Sequence, residues 1–137
     1  MHHLNKFSRF CYNPSLGLLL IRVSTGLIFF HHGYMKLHNV AGTVGFMAHL
    51  GIPAPLAYAA IFVEVVGGFM LILGVFTRPA AVATGIVALV AFFSAVLPNK
   101  GFLGGEFELL LAATSFGIAL IGSGRARLTH TFEHDRE

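Results

Sequence analysis

Four long apolar stretches divide the chain, and each is long enough to cross a bilayer as a helix. A transmembrane helix needs roughly 20 mostly apolar residues, because every backbone amide must be hydrogen-bonded without water. The stretches cover about residues 16–35, 55–75, 79–97 and 105–121. The pattern therefore predicts an all-α fold, an integral membrane four-helix bundle over residues 1–124.

A shorter segment from Val40 to Leu50 lies between the first two stretches. It is too short to span the membrane, and apolar side chains such as Phe46 and Met47 stand among its glycines. Such a segment is typical of a helix that lies at the membrane surface. We expect a short interfacial helix between spans 1 and 2, and a polar C-terminal tail over residues 125–137.

Each long stretch carries a stripe of small or charged residues at steps of three and four positions, which is one face of a helix. Small residues let membrane helices approach closely, so these stripes predict the interior of the bundle. The predicted inner residues are Arg22, Gly26, Phe29, Gly33 and Lys36 in the first span, Ala57, Ala60, Glu64, Gly68 and Leu71 in the second, Ala81, Thr84, Ala88, Ala91 and Ala95 in the third, and Glu108, Ala112, Ser115, Ala119 and Gly122 in the fourth. The large residues expected to meet lipid or a partner subunit include Phe62, Phe69, Phe92 and Phe93.

Composition and charge support a membrane location and suggest an orientation. Hydrophobic residues make up 55% of the chain and charged residues only 11%, far from the average of soluble proteins. The side that holds both chain ends also holds Lys6, Arg9, Arg78, Arg125, Arg127 and Arg136, and the opposite side holds Lys36 and Lys100. Basic residues are retained in the cytoplasm. We therefore expect cytoplasmic N- and C-termini in a multi-pass protein of the cell inner membrane.

The same distribution of residues bears on partners and metals. The net charge of +3 is spread over segment ends rather than clustered, so no nucleic-acid partner is expected. The expected surroundings are the lipid bilayer and other membrane protein subunits. Cys11 is the single cysteine, which excludes an internal disulfide. No metal site is expected, because His31 or His32 with His49 matches no spacing of metal ligands.

Two ionisable residues lie deep within the predicted spans, where an unpartnered charge is costly. Arg22 is about 9 Å inside the cytoplasmic end, and Glu64 is near the middle of the second span. A long guanidinium that reaches outward can meet this carboxylate, and we predict that the two residues pair. The pair is interpreted either as a buried clasp between helices or as a protonatable site or ligand anchor in a cavity.

A second polar cluster is expected near the outer ends of the first and fourth spans. Its members are His31, His32, Lys36, Lys100, Glu106 and Glu108. His32 flanks the inner stripe whereas His31 is nearly opposite to it, so His32 is the better candidate to relay a proton or to bond a quinone carbonyl. A histidine satisfied by headgroups or water is the alternative. The candidate catalytic residues are Glu64, Arg22, His32 and Glu108, and the candidate cofactor-binding residues are Lys36 and Glu106.

Motifs in three of the spans together resemble one family of membrane proteins. They are Arg22, Gly26, Phe29, Gly33 and Lys36, the runs 64–68 and 74–78 in and after the second span, and the runs 107–109 and 122–125 at the two ends of the fourth. On these residues the chain is similar to DoxX-family proteins. The resemblance implies a four-helix bundle associated with membrane redox physiology, including quinone- or thiosulfate-linked oxidation and resistance to oxidative or electrophile stress. Thr129 and His130 depart from the Ser-Leu-Asp-like ending of the family.

The predicted function is a quinone-linked or other membrane redox component without its own electron carrier. The chain shows no recognisable ligands for haem, flavin or iron–sulfur groups, so a bound quinone or an electron-carrying partner would be needed. The alternative is a non-catalytic accessory subunit that docks on a larger membrane complex through its aromatic faces. A minimal transporter or lipid-handling protein ranks last, because the inverted repeats and broken helices typical of such proteins are not recognised in the sequence. Whether the chain is an enzyme stays open.

Overall fold

The computed structural model of the protein describes Lys6, Ser8, Arg9 and residues 11–125. From Pro14 onward these residues form five helices and no strand: α1 Pro14–His38, α2 Val40–His49, α3 Ala54–Leu73, α4 Thr77–Lys100 and α5 Leu103–Ile121. All but α2 are long and apolar enough to cross a membrane, so the predicted all-helical fold with four spans is confirmed. The tail predicted beyond Arg125, with Thr129 and His130, lies outside the described residues.

Polar caps and glycines set the ends of the helices. The Asn13 side chain accepts a hydrogen bond from the Leu16 amide at 3.1 Å, which caps the start of α1. Asn39 separates α1 from α2, and its side chain accepts from the Gly42 amide at 3.0 Å. Gly74 closes α3 with a φ of 72°, in the left-handed region that favours glycine. The chain can therefore reverse direction in short connections.

The predicted short helix between the first two spans is present as α2. Its ten residues are too few to cross a membrane, and none of them is buried. It packs mainly against the first part of α3, at the end of the bundle where α1 ends and α3 begins. The helix α2 therefore adds a wall to this end of the bundle without joining the core.

The four spans form an up-and-down bundle. Helix α1 packs mainly on α3, and α4 packs mainly on α5. The Arg22 guanidinium donates to the backbone carbonyl of Ser123, just beyond α5. A Cβ atom at Gly124 would lie 2.9 Å from Cδ2 of Leu18. The start of α1 and the end of α5 therefore lie on one side of the bundle. That this side is cytoplasmic stays a prediction.

The backbones of α1 and α3 touch where the two helices cross. A Cβ atom at Gly26 would lie 2.6 Å from the carbonyl oxygen of Gly68, and one at Gly68 would lie 2.5 Å from the amide nitrogen of Phe30. Gly33 is equally tight, since its Cβ would lie 2.7 Å from the Val65 amide nitrogen. Real Cβ atoms do not approach backbone so closely, so these positions accept only glycine. The glycines thus set the register of α1 against α3.

Most of the predicted inner residues are buried. Residues that are no more than 4% exposed include Arg22, Phe29, Ala57, Glu64, Leu71, Ala81, Thr84, Ala88, Ala112 and Ser115. Small residues also join α4 to α5, because Oγ1 of Thr84 lies 3.5 Å from Oγ of Ser115. Partly buried are Lys36, Ala60, Ala91, Ala95, Glu108 and Ala119. The stripes therefore predicted the interior of the bundle correctly over most of its length.

Phe92 corrects the prediction for the aromatic residues. Three of the four phenylalanines are exposed, as expected for side chains that meet lipid: Phe62 at 64%, Phe69 at 51% and Phe93 at 61%. Phe92 is only 3% exposed. Phe92 follows the buried Ala88 by four positions, which places both residues on the same face of α4, and the wide π-helical turn Phe92–Val96 begins there. The ring packs against Gly105, where no side chain competes for the space.

The variant Gly68→Ala is expected to lower the free energy of unfolding by about 1–3 kcal/mol, because the added methyl group collides with the backbone of α1. Unfolding of the purified protein in detergent, by heat or by a denaturing detergent, measures this change. Gly17→Ala is the matched control, since a Cβ there would have no atom within 4 Å. Equal stability of the two variants would contradict the close packing of α1 on α3.

Candidate functional site

Lys36 and Glu64 form an ion pair between α1 and α3. The Lys36 ammonium nitrogen lies 2.7 Å from Oε1 of Glu64. The Glu64 side chain is 6% exposed, and that of Lys36 is 28% exposed. A charged hydrogen bond of this length is among the stronger polar contacts in proteins, and inside a membrane each charge needs such a partner. The ion pair therefore gives the buried Glu64 carboxylate an oppositely charged partner.

The predicted contact between Arg22 and Glu64 is wrong. The Arg22 guanidinium donates to the carbonyl oxygen of Ser123, just beyond the end of α5. Glu64 instead packs beside Gly33, roughly 16 Å farther along α1. Side chains of an α-helix lean toward its N-terminus. Arg22 therefore leans toward the start of α1 and the end of α5, and Lys36 leans back toward Glu64.

The second oxygen of Glu64 is buried and has no hydrogen-bond partner among the described residues. Glu64 lies in the π-helical turn Val63–Gly67, a type of turn that recurs at functional sites. A buried polar atom without a partner is costly. The second oxygen of Glu64 can therefore accept a hydrogen bond or a proton while the first oxygen keeps its contact with Lys36.

A cavity of about 660 Å³ lies beside Lys36, between α2, α3 and α4. Its walls are mostly apolar and include Phe46 and Met47 from α2, Val63 from α3 and Val87 from α4. Among the described residues that line it, Lys36 alone is charged. Binding sites for small molecules have this size, with mostly apolar walls and a few polar groups that orient the ligand. The cavity and the ion pair beside it form the candidate site.

The predicted outer cluster is split between two sides of α1. The His32 ring stacks on Phe107 of α5, with ring centroids 5.8 Å apart. Glu108 follows Phe107, and its Oε2 is buried without a hydrogen-bond partner in the part of the chain that is described. The exposed members of the cluster are His31, His32, Lys100 and Glu106. Of the whole cluster, only Lys36 lines the cavity.

The described side chains offer hydrogen bonding and proton exchange at the cavity. Within residues 11–125 and the three described residues before them, no three His, Cys, Asp or Glu side chains are grouped to hold a metal ion. Lys36 keeps N–H donors beyond the one it gives to Glu64, since an ammonium group has three. An oxygen-bearing ligand in the cavity can therefore accept a hydrogen bond from Lys36.

Sequence reasoning assigns Lys36 and Glu64 to separate clusters and so misses their pairing. A signal was present in the glycines, since the stripe from Gly26 to Gly33 faces the second span and Lys36 follows one turn later. Because helical side chains lean toward the N-terminus, the Lys36 side chain reaches Glu64 in this register. The wall formed by α2 has no such signal, because its placement depends on how the connection folds back over α3.

Comparison with known proteins gives the family. The family model named DoxX matches residues 17–97, a stretch that includes Lys36, Glu64 and all the residues that line the cavity. The chain belongs to the DoxX family. Among the relatives of this DoxX protein is one from Bacillus subtilis named "Putative oxidoreductase CatD". It is 36% identical over 79% of this chain and 81% of its own length.

Two further relatives come from other bacteria. Inner membrane protein YphA of Escherichia coli is 43% identical over 47% of this DoxX chain and 48% of its own length. A protein of Haemophilus influenzae is 31% identical over 84% of this chain and 90% of its own length. No solved structure matches the chain significantly. The names of the relatives thus point to a membrane protein, and one of them to redox chemistry.

Lys36→Met and Glu64→Gln are each expected to lower the free energy of unfolding of this DoxX protein. The loss for Lys36→Met is about 3 kcal/mol or more, because the change leaves a buried carboxylate without its partner. The double variant is expected to lose less than the sum of the single losses, by about 0.5–3 kcal/mol. A double-mutant cycle on unfolding in detergent measures this coupling.

The same cycle with Arg22→Met and Glu64→Gln is the matched control. Because Arg22 contacts Ser123 and Glu64 contacts Lys36, the two changes are expected to add within about 0.5 kcal/mol. A coupling between Arg22 and Glu64 as large as that between Lys36 and Glu64 would contradict the pairing of Glu64 with Lys36.

Proposed function

We propose that this DoxX protein is a membrane redox component that binds a quinone or a similar lipophilic molecule in the cavity beside Lys36. The observation that carries the proposal is the single charged group at a mostly apolar cavity of about 660 Å³. Such a site matches a molecule with an apolar body and a carbonyl or hydroxyl oxygen. The name of the relative CatD supports redox chemistry of some kind.

The residues at the cavity fit such a ligand. The apolar side chains on α2, α3 and α4 accept the ring, and Lys36 donates a hydrogen bond to a ring oxygen. Reduction of a quinone takes up two electrons and two protons. Glu64, 2.7 Å behind the Lys36 ammonium, can hold one of these protons on its second oxygen and pass it toward the ligand. A bound quinone would supply the two-electron chemistry, and electrons would come from a partner protein or a soluble donor.

The remaining candidate residues take other roles in this proposal. Arg22 holds the end of α5 through the Ser123 carbonyl, as a structural clasp. His32, Glu106 and Glu108 do not line the cavity, so we assign them no contact with the ligand. Relatives in Escherichia coli are named inner membrane proteins. We propose the same membrane here, with the Arg22 side of the bundle in the cytoplasm.

Lys36→Gln is expected to lose the ligand, because it removes the charged donor from the cavity. The measurement is absorption spectroscopy and mass spectrometry of the gently solubilised protein, with the amount of quinone given per chain. Lys100→Gln is the matched control, since Lys100 is exposed at the same end of the bundle and does not line the cavity. Equal quinone content in the two variants would argue against Lys36 as the ligand's partner.

Glu64→Gln is expected to keep the ligand and slow its turnover, because the amide can still contact Lys36 but cannot hold the proton. The expected loss in the rate of quinone-dependent oxidation by membranes is about 100-fold. Unchanged turnover would remove the proton-holding role. A wild-type chain that carries no quinone and is recovered only within a larger complex would favour the accessory-subunit alternative.

A further inference from the structure

A shallow groove of about 500 Å³ runs along the lipid-facing side of α4, next to the cavity. The groove and the cavity share three lining residues, Ile86, Val90 and Ser94. Ile86 and Val90 are 51% and 47% exposed. The cavity is therefore separated from the surface of α4 only by these side chains, so it opens sideways toward the bilayer rather than being closed within the bundle.

The opposite edge of this opening is thinly covered. It is formed by α2, of which no residue is buried. The side chains of α2 that reach the cavity, Phe46 and Met47 among them, are exposed or half-buried. Between α2 and α4 the cavity is thus bounded by a few apolar side chains without any tightly packed layer.

The polar groups of the cavity leave one place for a polar head. Three of the lining residues already hydrogen-bond to backbone: Asn39 accepts from the Gly42 amide, and the hydroxyls of Thr43 and Ser94 donate to carbonyls one turn earlier. Lys36 remains as the charged group. The cavity extends along α4 from Ala83 to Ala95, roughly 18 Å. The volume of the cavity is also several times the ~150 Å³ that holds a benzene ring.

We propose that the groove is a subsite for a hydrocarbon tail. The head of the ligand lies beside Lys36, and its tail passes between α2 and α4, across Ile86 and Val90, into the groove on α4. The ligand class is then a lipid with a tail, drawn from the bilayer, rather than a small ring from solution. This inference rests on the proposed function, because it assumes that the cavity holds the head of the ligand.

Two probes with the same ring test the subsite: decylubiquinone, which has an alkyl tail, and the same quinone without the tail. Binding to the protein in lipid nanodiscs is compared at equal probe concentrations in the bilayer. Leu89 lines the groove but not the cavity, and Leu89→Phe fills part of the groove with a larger ring. This variant is expected to weaken binding of the tailed probe about tenfold. Binding of the tailless probe is expected to stay within about twofold, because the space beside Lys36 is unchanged.

Val82→Phe is the matched control for this experiment. Val82 lies two turns earlier on α4, is 42% exposed and lines neither the cavity nor the groove. It is expected to bind both probes as the wild type does. Equal binding of the tailed probe to the two variants, or equal loss of both probes in Leu89→Phe, overturns the tail subsite and leaves the proposed function standing. Failure of both probes to bind the wild type overturns both proposals.

Discussion

The glycine contact between α1 and α3 decides where the charges of this bundle lie. Lipid is as apolar as the side chains, so helices in a membrane are held by close packing and by polar contacts rather than by the hydrophobic effect. At Gly26, Gly33 and Gly68 the two backbones meet with no room for a Cβ atom, which allows only one register. In that register Lys36 stands one turn beyond the place where Glu64 packs, and its side chain leans back to meet the carboxylate.

The two deep cations of α1 then find different partners for the same physical reason. Both side chains lean toward the start of the helix, so Arg22 meets the end of α5 and Lys36 meets α3. Arg22 donates a hydrogen bond to the backbone carbonyl of Ser123, just beyond the end of α5. Lys36 is shared between Glu64 and the cavity, which makes it the cation that can respond to a ligand.

Two π-helical turns flank the cavity, Val63–Gly67 in α3 and Phe92–Val96 in α4. Each widens its helix and changes which residues face inward. The first turn contains Glu64, and the second contains Phe92, which is buried, and Ser94 and Ala95, which line the cavity. The same two departures from α-helical geometry thus shape the cavity and place the carboxylate behind it.

The sequence by itself determined the four spans, the inner face of each, and the buried position of Arg22 and Glu64. These features depend on local composition and on the helical period, which can be read along one segment at a time. Only the tertiary structure decided that Glu64 pairs with Lys36, that Phe92 is buried, and that α2 closes a cavity. Each of these depends on contacts between segments that are far apart in the sequence, and the apolar pattern of one span does not set such contacts.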